Sequence, residues 1–209
     1  AFQNMIVNSS VLTSLSAVAE LYGNLTISSG VFDIGQFTIN TIQPACTLTV
    51  SDGATLKIGA SNTLPSGYAT HAIGAGSFTE YYGGNQVVGA TTYGNLVLSG
   101  SGVKTISGSI TVLGNLRITG SAQAFLAEGT SSTANTLILG TEGQAIGVWG
   151  STDRDPDPQY FNDIYFASTG LLSVNASFTS GHWLGMINDD WNTVSNWYGG
   201  IVPVAGTDV

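Results

Sequence analysis

Single apolar side chains alternate with small polar ones along most of the chain: Leu25/Ile27, Phe32/Ile34, Phe37/Ile39, Leu48/Val50, Leu56/Ile58, Ile110/Val112 and Leu172/Val174. A period of two sends alternate side chains to opposite sides of an extended strand, so each pair predicts a short strand with one apolar face. The gaps hold turn formers, as in SSG (28–30), SDG (51–53) and SGSG (99–102). Helical periodicity is nearly absent. Ser14–Leu21 (SLSAVAEL) is too short to stand as a helix and reads better as a strand and a turn.

The pattern also repeats. Gly-Asn-Leu followed by an alternating apolar residue begins at Gly23, Gly94 and Gly114, which gives three matching pairs: Leu25/Ile27, Leu96/Leu98 and Leu116/Ile118. Very short strands, turns recurring every ten to twelve residues or double that, and threonine at outward positions favour a stack of coils. The expected fold is all-β, a right-handed parallel β-helix, with a β-sandwich as the alternative. In that stack the six residues of the three pairs point inward, and the second and third copies lie on adjacent coils as parallel strands. Asn24, Asn95 and Asn115 are then expected to form a polar ladder at one corner, each serving backbone groups of the next rung. A hairpin joining 94–99 to 103–107 would instead favour the sandwich.

Beyond Asn135 the pattern loosens. TLILG (136–140) still reads as a buried strand, 150–163 is a polar excursion broken by prolines, and FASTGLLSVNASF resumes the alternation. Three of the four tryptophans fall after Gly181. The expected organisation is a β-helix repeat region over 1–180 and the Trp-rich start of a following repeat unit over 181–209, within a longer mature polypeptide.

Composition narrows the function classes. Charged residues make up 8% of the 209 residues, against about 25% in an ordinary globular protein. The formal net charge is -9, and Lys57, Lys104, Arg117 and Arg154 are the only basic side chains. Phosphate neutralisation requires clustered Lys and Arg, so nucleic acid and anionic membrane surfaces are poor partners. No apolar run reaches the length of a membrane span, which argues against direct insertion. One cysteine, Cys46, makes no internal disulfide.

Chemistry has few footholds. Asp153, Asp155 and Asp157 alternate in D-R-D-P-D-P with Asp163 close behind, and alternate carboxylates on a loop are candidate calcium ligands. The EF-hand glycine and glutamate are missing, so a solvated acidic loop is the simpler reading. No other cofactor is implied. A glycosidase needs two carboxyls across a sugar cleft, and nothing near these aspartates supplies one. His71 and His182 have no partner at a metal or acid–base spacing. Trp183, Trp191, Trp197 and Tyr198 could stack on sugars, though large aromatics more simply close the end of a stack. Asn24 and Asn175 open weak N-glycosylation patterns.

The longer phrases carry a resemblance. Glu80-Tyr81, Gln86, Tyr93 to Leu98, Ser99-Gly100, Lys104-Thr105 and Gly114 to Ile118 resemble the repeat region of large surface proteins of the Bacteroidota. These are exported by the type IX system and include gliding-motility adhesins. Trp183, Gly185, Asp190 to Thr193, Asn196-Trp197, Gly199-Gly200 and Val202-Pro203 are similar to a segment that opens another repeat unit in the same proteins. The resemblance implies an extracellular, cell-surface, non-enzymatic stalk or adhesin segment with no catalytic residues. Its implied partners are neighbouring repeats, surface polysaccharide, or the secretion and motility machinery. A carbohydrate-binding module is the alternative, and a polysaccharide-degrading β-helix enzyme comes third.

Overall fold

In the computed structural model the described residues are 2–177, 190–193, 196–197 and 202. The chain winds into a β-solenoid of about seven turns. The first coil carries β1 (Met5–Ser14) and β2 (Ala19–Leu21), the second β3 (Leu25–Asp33) and β4 (Ile39–Thr41), and the third β5 (Thr47–Val50) and β6 (Thr55–Ile58). The fourth holds β7 (Thr70–Ile73), β8 (Phe78–Tyr81) and β9 (Gln86–Val88), and the fifth β10 (Thr92–Tyr93), β11 (Asn95–Leu98) and β12 (Ser101–Ile106). The sixth contributes β13 (Thr111–Ile118) and β14 (Ser121–Leu126), and the seventh opens with β15 (Ser131–Leu139).

The pairings define three faces. Long strands turn a corner and serve two of them: Leu25–Ile27 of β3 pairs with β5 on the first face, and Val31–Asp33 pairs with β6 on the second. The third face is built separately by β2 and β4, then by β9, β12 and β14. All pairs between successive coils are parallel. On the first face the ladder is interrupted between β7 and β10.

Stacking aligns like with like. Leu56, Thr79, Leu96, Leu116 and Leu137 form one inward column, and Ile58, Tyr81, Leu98, Ile118 and Leu139 the next. The six residues of the Gly-Asn-Leu pairs are all buried in the single core that runs the length of the stack. Burying a Leu or Ile contributes about 2 kcal/mol, so these columns dominate cohesion. The strand expected at Phe37/Ile39 begins only at Ile39, because Phe37 lies in a turn whose amide donates to the Ile34 carbonyl. Ser14–Leu21 is the end of β1, a turn and β2.

One expectation needs correcting. The three Gly-Asn-Leu copies are not equivalent in space: Leu25 stacks on Leu48 on the first face, whereas Leu96 and Leu116 stack on the second. The asparagines therefore form two ladders at two corners. Asn4 Oδ1 accepts the Asn24 amide at 2.8 Å, and Asn24 Oδ1 accepts the Thr47 amide at 2.8 Å. At the other corner Asn95 Oδ1 accepts the Asn115 amide at 2.9 Å, and Asn115 Oδ1 accepts the Thr136 hydroxyl at 2.6 Å. Every corner must turn the chain and satisfy the next rung's donors, so one phrase serves both.

After β15 the chain leaves the coil path. β16 (Glu142–Gly143) folds back antiparallel on β15, and β17 (Gly147–Gly150) and β18 (Tyr160–Phe161) form an outer pair. β19 (Phe166–Ala167) then resumes the third face on β14, and β20 (Leu171–Val174) resumes the first on β15. β17 lies antiparallel along β20. No helix among the described residues is long and apolar enough to cross a membrane.

Candidate functional site

The acidic loop lies in this excursion. Asp153, Asp155 and Asp157 are exposed, and among the described residues no three Asp, Glu, His or Cys side chains stand close enough to share a metal ion. Asp153 instead accepts the Ser168 amide at 3.3 Å, and the Asp155–Pro156 peptide is cis. Asp163 is committed elsewhere. Its carboxylate accepts the Thr152 amide and hydroxyl, both at 2.8 Å, and these hydrogen bonds hold it below the usual carboxylate range. Trp149 stacks on Tyr160 with ring centroids 4.9 Å apart, and Arg154 donates to the Thr169 carbonyl at 2.8 Å.

The most elaborate chemistry is inside the stack, at the corner between the second and third faces. Lys104 is fully buried, and its Nζ donates to the carbonyls of Gly83 and Gly84 at 2.7 Å and to Gln86 Oε1 at 2.8 Å. Gln86 Oε1 also accepts the Gly83 amide at 2.8 Å, while its Nε2 donates to the carbonyls of Ile58 at 3.1 Å and Asn62 at 3.0 Å. Asn62 Nδ2 continues to the carbonyls of Gly35 at 3.0 Å and Phe37 at 2.8 Å. Three side chains thereby tie the same corner of coils two to five. Burial pushes the Lys104 ammonium down to about 8. With three oxygens around it and no carboxylate among them, the group is a structural pin.

Sequence reasoning placed Gln86 and Lys104 in the repeat phrase and gave neither a role. The signal was present: Lys104 is in phase with Ile106, and Gln86 with Val88, so alternation alone sends all four inward. Two tyrosines fill the neighbouring interior. The hydroxyls of Tyr81 and Tyr93 are 3.2 Å apart, with Tyr93 donating to the Gly89 carbonyl at 2.7 Å, and burial raises both above their ordinary value. His71 faces inward on the first face in the Leu48 column, half-buried, and burial lowers it.

On the surface the charges gather in one column. Asp33, Lys57, Glu80, Val97 and Arg117 stand in register on the second face. Lys57 pairs with Glu80 at 2.9 Å, Tyr82 donates to Asp33 at 2.9 Å, and Arg117 Nε donates to the Gly140 carbonyl at 3.0 Å. All four basic side chains are thus held by oxygens of the protein itself. A depression of about 170 Å³ lies on the third face between Ile39, Asn62, Leu64 and Pro65, and no titratable side chain lines it.

Of the Trp-rich segment, Trp183, His182 and Tyr198 lie outside the described residues. Asp190 caps a turn by accepting the Asn192 amide at 2.9 Å, and Asn196 Nδ2 donates to the Asp190 carbonyl at 2.9 Å. Trp191 and Trp197 meet edge-on, ring centroids 4.3 Å apart, and Trp197 Nε1 donates to the Trp191 carbonyl at 2.7 Å. The motif's Asp, Asn and Trp positions thereby bind one another.

A parallel β-solenoid is the class that fold and geometry define. No protein-family model matches the chain, and no curated protein or solved structure matches it.

Proposed function

We propose that this chain is a structural and adhesive segment of a large secreted cell-surface protein of the type IX-exported kind, building a stalk. One observation carries the reading: the strands of the second face stack in parallel coil after coil from β1 to β15. Polar investment goes into holding coils together, as in Gln86 and Lys104, and the surface depression has no acid or base to act on a substrate. Solenoids of this kind transmit load from one coil to the next.

Pulling the chain by its ends in a force spectrometer tests the stalk. Resistance should be high and should drop when the Gln86–Lys104 corner is removed; unfolding at forces typical of loosely packed domains sinks the reading. Beads coated with the chain test adhesion, and retention no better than on an unrelated solenoid removes that half. Carbohydrate binding is the second reading, favoured by the exposed ring of Trp191 set edge-on to Trp197. Retardation in polysaccharide gels that is abolished by Trp191→Ala would move it ahead.

A further inference from the structure

The charges of this solenoid keep off its first face. The first-face segments of β3, β5, β7, β10, β13, β15 and β20 contain no Asp, Glu, Lys or Arg. On the second face Asp33, Lys57, Glu80 and Arg117 share one column. Alternation turns hydroxyls outward on the first face instead. Thr26 stands in register with Thr49, and beyond the break in the ladder Thr92, Thr111, Thr133 and Ser173 form a second run. Two residues earlier on their strands, Thr47 pairs with Thr70, and Ser131 precedes Thr133 in the same way. Among the described residues none of these hydroxyls bonds to the protein, whereas the polar side chains of the second face bind one another. Threonine is β-branched, so each hydroxyl and its methyl are held in few positions. Coils lie about 4.8 Å apart, and alternate residues of one strand about 6.6 Å. The face is a charge-free lattice of hydroxyls and methyls.

We infer that the first face binds ice. Oxygens on the planes of an ice crystal repeat at distances close to these two, so waters bridging neighbouring hydroxyls already stand near lattice places. The methyls between them leave little hydrogen bonding to pull those waters elsewhere. A charged side chain would order water in a shell that no crystal plane matches, and the face has none. A sugar polymer calls for flat aromatic rings instead. Tyr93 is the only Phe, Tyr or Trp in these segments, and it is buried. Adsorbed through this face, the protein stops growth at the crystal planes it covers. This goes beyond the stalk reading, and its failure leaves that reading intact.

Single ice crystals watched in a nanolitre osmometer with the purified chain test the inference. The expected result is faceted crystals and a gap between melting and freezing points that widens with protein concentration. Thr70→Lys/Thr111→Lys puts one charge in each run. Both side chains are exposed, so the melt and circular dichroism should match the wild type while faceting and gap are lost. Thr111→Lys alone should already narrow the gap. Thr105→Lys makes the same change on the third face and should keep both effects. Round crystals that freeze at their melting point in concentrated wild type overturn the inference. Activity that survives in the double variant, or that Thr105→Lys also abolishes, overturns it as well. Retention on crystalline cellulose or chitin with no effect on ice assigns the face to a polysaccharide and overturns it too.

Discussion

Replacing Gln86 with leucine is the sharpest test of the interior corner. The substitution keeps roughly the same volume and removes both halves of the carboxamide. Lys104 Nζ loses one of its three oxygens, the Gly83 amide loses its acceptor, and the Ile58 and Asn62 carbonyls lose a donor. Leaving a buried charge short of a partner costs about 3–5 kcal/mol, and an unsatisfied buried amide adds about 1–3 kcal/mol. The expected loss is about 5 kcal/mol, enough to unfold a marginal domain. Lys104→Met alone should also destabilise, by taking the donor from the Gly84 carbonyl and one of two donors from the Gly83 carbonyl, which keeps the Ser101 amide. The Gln86→Leu/Lys104→Met pair should cost at least about 2 kcal/mol less than the sum of the singles, because the charge that suffers is gone. Urea denaturation of the four proteins at pH 7 reads this coupling. An additive cycle would falsify the network.

The pH profile gives a second reading of the same group. Lys104 is held at about 8 in the fold against 10.5 when free. Between those values the unfolded chain binds more protons, so stability should rise with pH, by about 3 kcal/mol if nothing else titrated. Buried tyrosines reverse the trend. Tyr68 is pushed up to about 12 by burial, with Cys46 adding to it, and Tyr81 and Tyr93 are also raised, so the unfolded state gains above pH 10. The wild type should therefore gain stability above pH 8 and lose it beyond about pH 10. Lys104→Met should lack the rise and keep the fall. An identical profile in both proteins would refute the buried charge.

Three further outcomes follow from named positions. Thr79 sits between Leu56 and Leu96 with a buried hydroxyl that has no partner, so Thr79→Val should raise stability by about 1–2 kcal/mol in urea titration. Gly67 has φ +87°, and a Cβ there would overlap the Thr41 carbonyl oxygen; Gly67→Ala should cost about 2 kcal/mol or more, read from the melting temperature. Millimolar calcium should leave the melt and the titration calorimetry of the chain flat, because Asp153, Asp155 and Asp157 do not converge; saturable binding abolished by their triple change to Asn would restore them as ligands.

Alternation of single apolar residues with small polar ones was enough to identify strands, and short strands with recurring corner phrases were enough to identify a coil stack. That information is local. A period of two sends Leu96 and Leu98 to one side whatever lies above or below, and Gly-Asn must turn the chain wherever it stands. Which coil and face receive a phrase is not local, because coil length varies: Leu25 pairs with Leu48 and Leu96 with Leu116. A few residues more or fewer at a corner move the same words from the first face to the second. The roles of Gln86 and Lys104 were hidden for a related reason. Their inward phase was readable, but the two backbone carbonyls that make a buried ammonium tolerable come from the turn of the preceding coil, 20 and 21 residues earlier. Likewise, the spacing of D-R-D-P-D-P made a solvated acidic loop the simpler reading and left calcium as a candidate. Where the carboxylates go is set by the folded loop, in which Asp153 accepts the Ser168 amide and no three such side chains among the described residues stand together. Local sequence decides where a strand and a turn form; the stacking of coils, which satisfies each rung's donors with the next rung's acceptors, decides what each side chain meets.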